Sequence, residues 1–149
     1  MGAWTAKNDA MTKEAARMKS EYAVYSAKAT KPAEDVVVPF ETFDSGEVKA
    51  TILAKSGQFF HDVGYVWAKD ITVEQYKEDG SLDMRLEADT CLFDRPHKCC
   101  WIAGHVKANH RKTTLEGDDA FYCTSNGFLK VMSNAKVVSE DVKMKGLTL

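Results

Sequence analysis

Four histidines, four cysteines and a few paired carboxylates are the side chains of this sequence able to do chemistry, and their spacing argues against most of it. His61, His97, His105 and His110 are scattered over turns and outward strand positions. No serine or cysteine sits in a strand-turn-helix nucleophile context. No glycine loop is built to cradle phosphate. The adjacent Asp118 and Asp119 stand beside a break in strand alternation, where they read as turn residues. Neither catalysis nor a cofactor is expected. His97, Cys99, Cys100 and His105 offer zinc-ligand chemistry but lack the paired C-x-x-C spacing of a structural site, so no metal is expected. Sulfur oxidation is the better reading. If Phe93 lies opposite Lys98 across a four-residue turn, Cys91 comes opposite Cys100 on one face and a Cys91–Cys100 disulfide can close. The alternative is four free thiols acting as small buried hydrophobes. Oxidation would fit an extracytoplasmic address.

The elements that position these residues are repeated. Leu86, Ala88, Cys91 and Phe93 follow an apolar-x-small-x-x-small-x-aromatic template. Leu115, Gly117, Ala120 and Tyr122 fit it again, and so do Ile52, Ala54, Gly57 and Phe59. The copies lie 34 residues (Ala54 to Ala88) and 29 residues (Ala88 to Gly117) apart, a period typical of stacked supersecondary units. Spacing of two, then three, then two is the trace of a strand whose alternation slips by one residue at a bulge. Each copy runs into turn residues: His61 to Gly64, Asp94 to His97, and Thr124 to Gly127. A second alternating strand follows each turn.

Asn8 to Ala29 is the one helical segment, with Met11, Ala15, Met18, Tyr22 and Tyr25 as its apolar stripe, Asp9 as N-cap and Pro32 beyond its end. The stripe is too short for a coiled coil, so the helix should lie on its own domain. The chain divides into a helix and linker over 1–35 and an all-β domain over 36–149. Val36 to Phe43, interrupted by Pro39, suits an edge strand. Strands Val48 to Phe60 and Leu82 to Phe93 follow the turns at Asp44 to Gly46 and Glu78 to Ser81, and Trp67, Ile71 and Val73 share a face of the strand between them. Consecutive antiparallel strands give a sandwich, roll or jelly-roll. With 20 basic and 22 acidic residues well mixed, a net charge of −2 provides no basic face for nucleic acid. No apolar run approaches the roughly 18 residues of a membrane span, and MGAWTAKNDA has no signal-peptide core. Either the protein is soluble as it stands or a targeting segment precedes it.

The segments FDSGEVKATILAKSGQFF, RLEADTCLFDR, IAGHVKA, TTLEGDDAFY and KVMSNAKVVSEDVKMKG resemble the periplasmic lipopolysaccharide-transport bridge family, the group with OstA-like domains of the Lpt C-type and A-type. The resemblance runs from about Pro39 to Gly146 and is nearest the C-type. The four cysteines and the N-terminal helix lie outside its pattern.

The resemblance implies an open antiparallel β-jelly-roll preceded by a short helix, a non-enzymatic lipid carrier in the periplasm. An anchor to the inner membrane would be supplied by an apolar helix preceding this sequence. It also implies partners: lipopolysaccharide or lipid A, like-fold bridge proteins docked through edge strands, and the inner-membrane transporter complex. Acyl chains would lie along the inward set given by alternation, Ile52, Phe59, Ile71, Leu86, Phe93, Ile102, Val106, Leu115, Tyr122, Leu129, Val131 and Val137. Taken singly, each of these also suits plain core. Lys69, Lys107, Arg111 and Lys112 would meet lipid phosphates at the rim or stand simply in solvent. The last strand, Phe128 to Val138, has no proline and ends in the polar run Ser139, Glu140, Asp141, making it the better docking edge. Two other readings stay open: an all-β structural or surface module that binds another apolar ligand or none, and an unrecognised hydrolase.

Overall fold

In the computed structural model, described for residues 2–124 and 127–139, the chain folds into one helix, α1 (Gly2–Lys28), and seven strands. These are β1 (Ala33–Thr42), β2 (Val48–Phe60), β3 (Tyr65–Tyr76), β4 (Leu82–Asp94), β5 (Cys99–His110), β6 (Thr113–Cys123) and β7 (Phe128–Ser139). They form a single antiparallel sheet in the order of the sequence, with β1 and β7 at its edges. The sheet is rolled without closing, the all-β open jelly-roll that alternation and resemblance together led us to expect.

The three template copies are β2, β4 and β6, but the extra residues expected as bulges in them fall on their neighbours: β5 carries one against β4 and one against β6, β7 carries one against β6, and β2 keeps its register across Ala54–Gly57. Asp35, Asp70, Gly104, Asp119 and Asn134 all take positive φ. Register shifts accompany the last three of these, between Ala88 and Thr90, Ile102 and His105, and Glu116 and Asp118. Asp and Asn tolerate the left-handed conformation better than other side chains, and glycine takes it freely, which explains the residue types. The backbone donors freed at these bulges are satisfied by neighbouring carboxylates. Gly104 N donates to Asp119 Oδ1 at 2.8 Å, and His105 N donates to Asp89 Oδ2 at 3.1 Å. A Cβ on Gly104 would collide with that Asp89 carboxylate, so the position needs glycine for space as well as for φ.

This crease divides every strand into two halves and the sheet into two layers that face each other. One layer holds the β2–β3, β4–β5 and β6–β7 turns, the other the β1–β2, β3–β4 and β5–β6 turns. Contacts between residues far apart in the sheet prove the fold-over. The Phe40 ring on β1 meets Phe93 on β4 at 4.7 Å, and Glu41 pairs with Lys98 at 3.7 Å. Between the layers lies the main apolar core, which includes Ile52, Val73, Leu86, Phe93, Ile102 and Val106.

A second core lies outside the sheet, under α1. Met11, Ala15, Met18, Tyr22 and Tyr25, the stripe read from the sequence, pack on Leu92, Trp101, Phe121 and Tyr65. The helix begins about two turns before the Asp9 cap expected for it, so Asp9 is interior to the helix. The linker is correspondingly shorter, because β1 starts at Ala33 and not at Val36. α1 is fastened by Asp94, whose side chain is 1% exposed. Its Oδ2 accepts from Arg17 Nη2 at 2.9 Å and lies 2.8 Å from His97 Nδ1, while Oδ1 accepts from the His97 amide at 3.2 Å. Arg17 also donates to the Tyr65 hydroxyl and to Glu14. Hydrogen bonding to Glu14, partly opposed by burial and added to by Asp94, raises the pKa of the guanidinium further above its already high value.

The cysteines pair differently from the expectation. The turn closes at Asp94 opposite Cys99, which sets Phe93 against Cys100 and Cys91 against Ile102, so Cys91 and Cys100 are not cross-strand partners. They remain buried thiols on the inner face. Cys99 and Cys123, directly opposed on β5 and β6, form the disulfide on the outer face under α1. The ligand set weighed for zinc is thereby dispersed, with Cys99 oxidised and Cys100 on the opposite face.

Candidate functional site

Two rows of side chains, one per layer, define how far the interior is filled. In the first layer Phe93, Cys100, Tyr122 and Leu129 are successive cross-strand neighbours on β4, β5, β6 and β7. In the second, Ala50, Gln75, Met84, His110 and Thr113 run across β2, β3, β4, β5 and β6. The rows are offset. Phe93 is met by Phe40 of β1, next in space to Ala50, and Tyr122 by Gln75, whose Oε1 accepts from the Tyr122 hydroxyl at 2.8 Å. Leu129 of the last strand then overlies the neighbourhood of Met84. Beyond it the first layer has no further strand, while the second continues through β5 and β6.

The overhang leaves a cleft of about 490 Å³ on the β7 side. Tyr122, Gly127 and Leu129 form its roof, and Gln75, Met84, Ala108 and Leu115 its floor. Asp83, His110 and Thr113 stand at the mouth, where His110 Nε2 lies 3.3 Å from Asp83 Oδ1. The opposite side of the roll is sealed by Phe40, Phe93, Glu41 and Lys98. Burial pushes the Tyr122 hydroxyl well above its ordinary pKa, and the neighbouring Cys100, Glu41 and Asp83 add to the shift. It is therefore a neutral donor throughout the physiological range. Burial likewise holds the Cys91 thiol up at about 12, and Cys100 higher than usual.

The inward residues read from alternation are distributed unevenly around this cleft. Leu115, Tyr122 and Leu129 line it. Ile52, Ile71, Leu86, Phe93, Ile102, Val106 and Val131 are buried in the core between the layers. Phe59 packs on that core from the edge of the first layer, and its ring stacks on His61 at 5.8 Å. Val137 lies on β7 opposite Leu115, half-buried at the cleft side. Of the basic residues, Arg111 and Lys112 sit in the turn joining the mouth residues His110 and Thr113. Lys107 projects from the outer face, and Lys69 lies exposed at the crease. Met84 and Ala108 were within reach of the same alternation as Leu86 and Val106. Gln75, two residues beyond Val73, was hidden by its polarity.

No family model matches this chain, and neither does any curated protein sequence. Nine chains of solved structures match it in fold. Among them is LptH of Pseudomonas aeruginosa, described as the LptA-homologous periplasmic component of the conserved lipopolysaccharide transport device. The likeness has a TM-score of 0.53 at 13% identity and covers 74% of this chain and 94% of LptH. At that identity it establishes the shared fold.

Proposed function

We propose that this protein is a non-enzymatic, lipid-carrying segment of a lipopolysaccharide export bridge, holding acyl chains of lipopolysaccharide or lipid A between its two layers. The observation that carries the reading is the unclosed side of the roll. There Met84, Ala108, Leu115 and Leu129 offer an apolar lining continuous with the core, and a polar mouth with Arg111 and Lys112 nearby suits a phosphorylated head group. Each methylene moved from water into such a lining is stabilised by about 0.8 kcal/mol. The fold shared with LptH, a periplasmic component of a lipopolysaccharide transport device, points the same way.

Docking to like-fold bridge proteins and to the inner-membrane transporter complex would use the two edge strands by β-augmentation. β1 carries Pro39 and an irregular register beside it, which weakens it as a template. β7 is regular from Phe128 to Val131, has no proline and is the better edge. The polar run expected to end it lies, beyond Ser139, outside the described residues. A periplasmic location agrees with the Cys99–Cys123 disulfide. No helix among the described residues is long and apolar enough to cross a membrane.

The test is site-specific photocrosslinking to lipopolysaccharide in cells. A photoreactive residue at Leu115 or Leu129 should crosslink, and one at outward Lys130 or Lys107 should not. Equal crosslinking from all four positions would remove the cleft from consideration. Proline at Val131 should abolish association with a like-fold partner while the domain stays folded; undiminished association of the folded variant would remove β7 as the docking edge.

A further inference from the structure

The cleft does not run the length of the interior. Entering from the β7 side, a chain passes between Leu129 and Met84 and then meets Tyr122 and Gln75, joined across the gap by their 2.8 Å hydrogen bond. Tyr122 is 2% exposed and comes from the first layer; Gln75 comes from the second, 47 residues earlier in the sequence. Behind them stand Cys100, the cross-strand neighbour of Tyr122, and Ala50, that of Gln75, both fully buried and both small. Behind those, the Phe40–Phe93 contact ends the interior. One polar bond thus separates an open cleft from a closed end where Cys100 and Ala50 are small and the mostly buried Glu41 carboxylate, cross-strand from Ala50, adds the polar wall.

We infer that Tyr122 and Gln75 form the inner stop of the cleft and so determine the length of acyl chain it accepts. The inference rests on the acyl-binding reading above. A chain shorter than the distance from mouth to stop gains contact with each added methylene. A longer one must leave its surplus at the mouth or break the bond, which would strand a buried hydroxyl and an amide without partners. Neither group can be replaced by the chain, because a hydrocarbon neither donates nor accepts. Shortening the stop would vacate the volume of its side chain and deepen the cleft toward Cys100 and Ala50 by up to one strand spacing, ~4.8 Å.

The experiment uses the whole chain and a homologous series of saturated fatty acids from octanoate to stearate, with dissociation constants read by displacement of a fluorescent apolar probe. For the unmodified protein, affinity should rise about fourfold per methylene, the ~0.8 kcal/mol of a buried methylene, and then level off. In Gln75→Ala the levelling should move to longer chains by several methylenes. Tyr122→Phe keeps the ring and loses only the bond; it should show a smaller move in the same direction and guards against a folding defect in the first variant. Circular dichroism and thermal midpoints confirm folding of both. If the series levels off at the same length in all three folded proteins, the stop assignment is overturned while acyl binding stands. If the unmodified protein displaces no probe with any member, both readings fall.

Discussion

Replacing Arg17 with alanine probes how α1 is held, and the structure sets the size of the effect. Asp94, the last residue of β4, is almost completely buried and has two side-chain partners, Arg17 at 2.9 Å and His97 at 2.8 Å. Removing one partner of a fully buried ion pair costs about 3–5 kcal/mol. Here the cost is smaller, because the Arg17 side chain is 31% exposed, water can reach the vacated position, and the His97 amide and ring remain on Asp94. A loss of about 2 kcal/mol follows, comparable with one hydrogen bond to a charged group. Arg17 also pairs with Glu14 on the helix surface, where both side chains are about a third exposed; such a pair contributes about 0.5 kcal/mol or less. Glu14→Ala therefore serves as the control. Because the Glu14 pair is lost in both, urea unfolding should separate the two variants by about 2 kcal/mol, and amide hydrogen exchange should show the loss of protection concentrated in residues 10–28. If Arg17→Ala is no more destabilising than Glu14→Ala, the buried carboxylate is not what fastens the helix.

Four further outcomes are expected. Under denaturing, non-reducing conditions thiol titration should find two groups, Cys91 and Cys100, which resist alkylation in the native protein at pH 8 because burial holds Cys91 at about 12. Reducing the Cys99–Cys123 bond, which spans 24 residues, should lower stability by about 3 kcal/mol on the chain-entropy estimate; native-state labelling of Cys91 would contradict the burial. Tyr122 has a folded pKa above its ordinary value of 10.0, so its contribution is complete below that pH and is lost as pH climbs beyond it, when the unfolded chain's phenol ionises first. Unfolding free energy should fall above about pH 10, and Tyr122→Phe should flatten the decline; an unchanged slope would refute the assignment. Gly104→Ala forces a side chain into φ +88° against Asp89 and should cost about 2 kcal/mol or more in thermal or urea unfolding; a cost under about 0.5 kcal/mol would mean the crease relaxes freely.

What the residues disclosed in advance follows from what alternation can and cannot encode. Period two, with a slip at Ala54–Gly57, Ala88–Cys91 and Gly117–Ala120, identified three strands and their inner faces, because side-chain facing is a local property, whereas the bulges lie on β5 and β7. The helix stripe from Met11 to Tyr25 was legible for the same reason. Facing does not say what lies across the gap. Phe93 and Leu129 occupy the same row, yet one is sealed by Phe40 and the other roofs an opening, a difference set by the three-strand offset of the layers. The disulfide was misread because its register depended on where one turn closes. Asp94 pairs with Cys99, one residue from the assumed closure, and the true partner Cys123 lies on the next strand. The Arg17–Asp94 contact joins residues 77 apart with no motif between them.

The crease has a consequence for how such a protein can change in size. Since residues of positive φ mark the bend on β1, β3, β5, β6 and β7, each two-stranded hairpin already contains a piece of both layers and of the bend between them. A duplicated hairpin appended to β7 would meet a compatible surface on both layers at once. It would carry the edge about 9.6 Å outward, two strand spacings, without disturbing any existing pair. Length in this architecture is then modular: hairpins can be gained or lost at the open edge in whole units, whereas a single residue gained within a strand half would turn that half inside out.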